Sequence, residues 1–540
     1  MSVDVDESQP AAAAPPHRHR RWLFAALIVV MLGQMAAAMV VTSVQQTPTI
    51  DEPVYVGAAV TYVEQHSLRY NPEHPPLGKL IMAAGLVFAE PRLDPDYRGN
   101  QSELGRHLLY EAGNDPYELM AAARLPMIIL TLLFGLVVFA FARDLVGPVG
   151  GLLALALYSF SPDLIAHGSL ATLDVPAAGF LLTATWLLWR ARDRPGLYLP
   201  LAGLALGAAL ATRMSALPAV PVLLLLAFLA VKRLRGVAAA AGVGVIALAV
   251  VWLSYLVIDP TLHFLTPIGL PELQGLKRTL VNLVPLPEPY RDGMRIQFGF
   301  ENRTFNGFLF GERYQGSRWY YMPAAMLVKT PLGLLVLWLA GAVTLLAVAR
   351  LRIAALYLLV TPAILFAVSM TGARNFGSRY AIFLPVFLAV AAAAVVTLRP
   401  RWTRITAAVL VAFVAVSSVR TFPYYLPYSN EAFGGPAKTH LRLHDSNVDW
   451  GQDLGRLADR LRERYPGEQV WLVYKGAGVP AAYGIDARSP LGVPPADVHG
   501  LLVVSNSTVA GATGRTRALI AGSGEPIDMV GHSISIYRRP

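Results

Sequence analysis

The chain contains no cysteine, which excludes disulfides, thiolate metal sites and cysteine nucleophiles. Charge is also scarce: Asp, Glu, Lys and Arg make up 15% of 540 residues, against 55% hydrophobic residues. A water-soluble globule of this size has no use for so apolar a balance, so the composition predicts a polytopic membrane protein. No HExxH spacing appears, and no internal repeat or matched pair of broken helices of the transporter kind is legible. The formal charge of +10 falls in short clusters between apolar runs, without a basic stripe interleaved with aromatics. Membrane topology accounts for those clusters, and nucleic acid is not an expected partner.

Apolar runs long enough to cross roughly 30 Å of hydrocarbon begin near Trp22, Met120, Val149, Val175, Leu197, Ala216, Val237, Pro331, Ile353, Ala381 and Ile405. They predict an all-α bundle of about eleven transmembrane helices. Residues 1–21, ending HRHRR, read as a disordered cytoplasmic tail, and residues 22–420 as the membrane domain. Even-numbered spans then return at Arg143, Arg190–Arg194, Lys232–Arg235, Arg350–Arg352 and Arg399–Arg404, each basic as the positive-inside rule requires. This places loops 45–118 and 259–321 on the outer side. Residues 421–540 change period: Leu454, Leu457, Ala458 and Leu461 share a helical face, whereas VWLVYKG, LLVVSNS and SISIYR read as strands. The expectation is an extracytoplasmic α/β domain on a multi-pass protein of the cell (inner or plasma) membrane, with the N-terminus cytoplasmic and membrane lipids as partners.

The first outer loop holds the densest chemistry. Asp51 and Glu52 form an adjacent acid pair at a helix start, suited both to capping and to general-base work on a hydroxyl. His74-Pro75-Pro76-Leu77-Gly78-Lys79 starts a second helix with a cation in its first turn, where the dipole disfavours it. A phosphate would relieve that conflict; snorkelling of Lys79 to headgroups is the alternative. Asp174 opens another span, as a cap or a second acid. Arg213, Arg374 and Arg379 breach the positive-inside bias and call for anionic partners, while Lys329 has the option of snorkelling. In HDSNVDWGQDL, Asp445, Asn447, Asp449 and Trp450 read as the capping loop of the helix near Asp453 or as an acceptor site with Trp450 under a sugar ring.

With those residues in order, the chain resembles the GT-C superfamily of polyprenyl-phosphate-sugar-dependent glycosyltransferases. The likeness is greatest to its protein O-mannosyltransferase and aminoarabinose transferase branch, and to the bacterial members described as phospholipid-carrier-dependent glycosyltransferases. The resemblance rests on Asp51-Glu52, HPPLGK, the acid of TLDVP and the NFGSRY segment (Asn375 to Tyr380). It implies inverting transfer of one sugar from a polyprenyl-monophosphate donor to a lipid, glycan or protein acceptor on the outer face. Asp51 would be the base with Glu52 and Asp174 beside it, and Lys79, His74, Arg374, Arg379 and Arg213 would hold the donor phosphate. No cofactor is required by such chemistry, since cations of the chain neutralise a monophosphate; paired acids remain compatible with a divalent metal. Loop 259–321 lacks the β-trefoil insert of the eukaryotic mannosyltransferases. The rival reading is a transporter or flippase of a lipid-linked saccharide, which would place its ionisable groups near mid-membrane.

Overall fold

The computed structural model describes residues 17–231, 235–263, 267 and 269–540. Most of the expected tail and the run Lys232–Leu234 lie outside the described residues, but His17–Arg21, also assigned to that tail, already belong to the first helix. The membrane part runs α1 (His17–Gln45), α2 (Glu52–Glu64), α3 (Leu77–Leu86), α4 (Gln101–Tyr110), α5 (Pro116–Val146), α6 (Pro148–Ser159), α7 (Pro162–Gly168), α8 (Asp174–Ala191), α9 (Pro195–Thr212), α10 (Val220–Ala230) and α11 (Arg235–Leu256). Loop 259–321 carries α12 (Gly275–Leu283), α13 (Glu288–Phe300) and a two-stranded ribbon of β1 (Asn306–Leu309) and β2 (Glu312–Gln315). Then come α14 (Tyr321–Lys329), α15 (Leu332–Ala347), α16 (Arg352–Thr371), α17 (Phe383–Ala392) and α18 (Arg401–Thr421).

Each of the eleven apolar runs forms a helix. Among the described residues six helices are long and apolar enough to cross a membrane singly, and up to eight spans result if each of two bent pairs counts as one. Neither bend was legible in the sequence: α6 and α7 meet at 63°, α14 and α15 at 117°. Proline stands at both junctions, Pro162 as the first residue of α7 and Pro331 just before α15, where it removes a backbone donor and clashes with the preceding turn. The breaks are tied together, because Lys329 Nζ lies 3.3 Å from Asp163 Oδ1 and donates to the carbonyls of Leu426 and Asn447. Lys329 is fully buried, so it does not snorkel.

The C-terminal part contains α19 (Leu454–Arg464), β3 (Val470–Val473), β4 (Ala487–Arg488), β5 (Gly500–Ser505), α20 (Asn506–Gly511), α21 (Gly514–Ala521), β6 (Asp528–Val530) and β7 (Ile534–Arg539). The strands form one mixed sheet in the order β4-β3-β5-β7-β6, with β3 parallel to β4 and β5 and the remaining pairs antiparallel. Central β5 buries both faces, which is why LLVVS is an unbroken apolar run. Leu501 and Val503 pack with Leu454, Leu457 and Leu461 of α19, whereas Leu502 and Val504 pack with Leu519 of α21. The polar residues that follow in LLVVSNS, Asn506 and Ser507, leave the strand and start α20.

Candidate active site

Asp51 occupies the N-cap position of α2, but its side chain does not cap. It accepts instead from Arg379 Nη1 at 2.8 Å, across a sequence distance of 328 residues. Its other oxygen, Oδ1, has no protein partner among the described residues. Asp174 begins α8, again without capping, and pairs with Arg213, while Arg379 Nη1 lies 3.9 Å from its Oδ2. Arg213, Arg374 and Arg379 surround the Tyr380 ring, their guanidinium carbons 5.7, 5.9 and 4.9 Å from its centroid. Arg374 is bonded to a neutral partner, the Gln297 amide oxygen, at 2.8 Å. Three guanidiniums therefore face two carboxylates around one ring. Buried polar atoms without a hydrogen-bond partner gather here: Asp174 Oδ2, His74 Nδ1, Arg379 Nε and Ser378 Oγ. Such atoms are uncommon in folded proteins and mark a place for water or ligand.

His74 meets the Tyr55 ring edge-on, with ring centroids 5.8 Å apart. Burial, reinforced by Arg213, Lys79, Arg374 and Arg379, holds its imidazole well below the usual histidine range and so neutral. Burial pushes the Tyr55 phenol well up, with the Asp51 charge adding to the effect.

Glu52 has a different environment from Asp51. It is fully buried and accepts from the Thr49 N–H and hydroxyl, both at 2.9 Å, from Arg124 Nε and Nη2 at 2.7 and 2.6 Å, and from the Ala171 N–H at 2.8 Å. Burial alone would raise its pKa, but the charge and hydrogen bonds of Arg124 outweigh this and hold it below the usual value. With both oxygens engaged, Glu52 has no lone pair free for a substrate proton, which corrects its assignment as a catalytic acid.

Lys79 also departs from expectation. It is fully buried, and its ammonium donates to the Asn71 carbonyl and side-chain oxygen and the His74 carbonyl at 3.1, 2.9 and 2.8 Å. Burial pushes its pKa down to about 7, with Glu73 pulling it back. All three N–H groups are used in closing its own loop, so none is left for a phosphate.

Asp445, Asn447, Asp449 and Trp450 are buried as well, at 8, 0, 1 and 1% exposure. That corrects the acceptor platform, since a sugar ring needs an open indole face. It corrects the capping reading too: Asp453, the N-cap residue of α19, makes no capping bond and accepts from Ser533 Oγ. Trp450 instead lies under Arg379, whose guanidinium carbon is 4.3 Å from the ring centroid. Sequence reading missed Arg124 and Tyr380. A lone arginine within the apolar start of α5 was the legible signal for the first; nothing singled out Tyr380 beyond its place next to Arg379. Among the described residues no group of three His, Asp or Glu side chains converges as a metal site.

The sequence profile of the family described as dolichyl-phosphate-mannose-protein mannosyltransferase matches residues 118–255. No sequence of a curated protein matches the chain. Among solved structures, the crystal structure of ArnT from Cupriavidus metallidurans bound to undecaprenyl phosphate aligns over 96% of this chain and 98% of that one. Its TM-score is 0.50 at 13% identity. The chain has the GT-C fold. The Archaeoglobus fulgidus oligosaccharyltransferase aligns over 83% of this chain and 59% of its own, at 13% identity and a TM-score of 0.49. The S. cerevisiae protein O-mannosyltransferase complex bound to its sugar donor aligns over 46% and 34%, at 16% and 0.35. The apolar helices and the likeness to GT-C proteins make this a multi-pass membrane protein. Within the GT-C fold, the cluster of Asp51, Asp174, Arg213, Arg374 and Arg379 sits where α2, α8, the turn after α9 and the segment before α17 come together.

Proposed function

We propose that this protein is an inverting glycosyltransferase that moves one sugar from a polyprenyl-monophosphate donor to an acceptor hydroxyl on the outer face of the membrane. The observation that carries the reading is the excess of guanidiniums around Tyr380: Asp51 and Asp174 offset two of three, leaving Arg374 for an anion. Asp51 accepts the acceptor's proton through Oδ1, and the resulting oxygen nucleophile attacks the anomeric carbon. The bond from that carbon to the phosphate oxygen breaks, and the oxygen leaves with the electron pair. Arg379, bonded to the base at 2.8 Å, orients the carboxylate and would offset charge on the departing phosphate. Arg213 holds Asp174 as a second acid beside Arg379. His74, neutral and half-buried with its Nδ1 buried and unpartnered, offers a nitrogen to the phosphate without adding charge.

The test is to incubate purified protein with labelled polyprenyl-phosphate sugars and measure free polyprenyl phosphate. Release that Arg374→Gln weakens through a higher donor KM supports the reading; no release from any donor, with lipid-linked sugar moving across vesicles instead, favours a flippase. The bent helix pairs joined by Asp163 and Lys329 are the observation on that second side.

A further inference from the structure

The segment Asp445–Asp453 touches three parts of the protein at once. Toward the chain before Asp51, Trp450 and Gln452 accept at their carbonyls from the N–H groups of Ile50 (3.0 Å) and Thr47 (2.9 Å). Toward the residues around Arg379, Asn447 Oδ1 accepts from the Ser378 N–H at 2.9 Å, and the Trp450 indole lies against the guanidinium. Toward the C-terminal sheet, Asp445 pairs with Lys475, Asp449 accepts from the Ser507 N–H at 3.2 Å, and Gly451 accepts from Tyr474 Oη at 2.7 Å. Gly451 is required at the turn: its φ is +90°, and a Cβ there would meet Gly476 Cα at 2.7 Å.

We infer that this segment is a bracket by which the C-terminal domain sets the Asp51–Arg379 geometry, with Trp450 as the positioning residue for the Arg379 guanidinium. The inference rests on the proposed glycosyl transfer for its kinetic readout. Trp450 touches neither carboxylate and acts through Arg379. A buried aromatic face fixes a guanidinium laterally while leaving its N–H edge free for carboxylate or phosphate. Held at its main chain and its indole, the bracket fixes both members of the ion pair from one side.

The experiment is a double-substitution cycle on the full chain, after size exclusion in detergent has shown each variant to be folded. Trp450→Leu lowers kcat by about 30-fold, the size of a desolvated cation–π contact, and Trp450→Phe recovers most of the loss. In an Arg379→Gln background, Trp450→Leu costs nothing further. Multiplicative losses would overturn the inference, as would a Trp450→Leu effect confined to acceptor KM, which is the signature of a sugar platform. Hydrogen exchange at the Thr47 and Ile50 amides is the second readout. It quickens in Trp450→Leu and in Ser507→Ala, which removes the hydroxyl that donates to the Asp449 carbonyl and accepts from the Asp445 N–H, if the bracket holds, and stays unchanged if it does not. This arm needs no donor, so failure of the transfer reading and failure of the bracket are told apart.

Discussion

The adjacent carboxylates Asp51 and Glu52 should respond to neutralisation in opposite ways. Glu52→Gln removes the negative charge opposite Arg124 and places an amide NH₂ among five donors: two from Thr49, two from Arg124 and one from Ala171. Arg124 remains 1% exposed, with only the carbonyls of Ser43, Gln46 and Thr47 to answer its charge. Breaking a buried pair in this manner costs about 3–5 kcal/mol, a large share of the roughly 5–15 kcal/mol that holds a typical domain. Asp51→Asn, by contrast, alters a pair whose carboxylate is 27% exposed and whose arginine keeps Asp174 3.9 Å away, so it should cost less stability than the loss of the fully buried Glu52 charge. It should fold normally and lose about 10²–10⁴-fold in transfer. Thermal melting in detergent, followed by fluorescence-detected size exclusion, separates the two, with transfer assayed below the melting range. The reasoning is refuted if Glu52→Gln melts like the wild type and is inactive while still binding donor, because Glu52 would then be the base.

Two other outcomes follow from the buried polar groups. Lys79→Met leaves three oxygens of the Asn71–His74 loop without their donor, at about 1–3 kcal/mol each at most, so it should lower the melting temperature while leaving donor KM near the wild-type value; a selective rise in donor KM would show the ammonium reaching phosphate. Burial raises the Asp449 carboxyl to about 7, above its unfolded range near 4, so its contribution to stability is full below about pH 4 and lost as pH rises through 7. The difference in melting temperature between wild type and Asp449→Asn should therefore change across that window, and a constant difference would show that Asp449 is ionised throughout.

The helical architecture was legible because apolar runs report hydrocarbon directly: the eleven runs all became helices, although among the described residues six to eight spans rather than about eleven are long and apolar enough to cross a membrane. The two breaks were not, since a bend of 63° or 117° depends on how a proline-containing junction packs rather than on composition. Asp51, Asp174, Arg213, Arg374 and Arg379 stood out because each is a charge at the end of an apolar run, and the fold gathers them. Lys79 stood out by the same rule and serves its own loop instead; two of its three acceptors are the main-chain carbonyls of Asn71 and His74, which leave no trace in a sequence. The HDSNVDWGQDL motif reads as polar and hence exposed, yet its Asp, Asn and Gln side chains are buried. Their partners are scattered from Tyr321 to Ser533, beyond the reach of any local pattern.

The pairing of Thr47 with Gln452 and of Ile50 with Trp450 has a consequence for biosynthesis. Some four hundred residues, including most of the membrane helices, are made between the two halves of that contact. The stretch before Asp51 therefore waits through nearly the whole of insertion before its partner exists. A chain truncated before Asp445 has its helices and both carboxylates but nothing to receive these two amides, so completion of the tail dates the moment at which the site is finished.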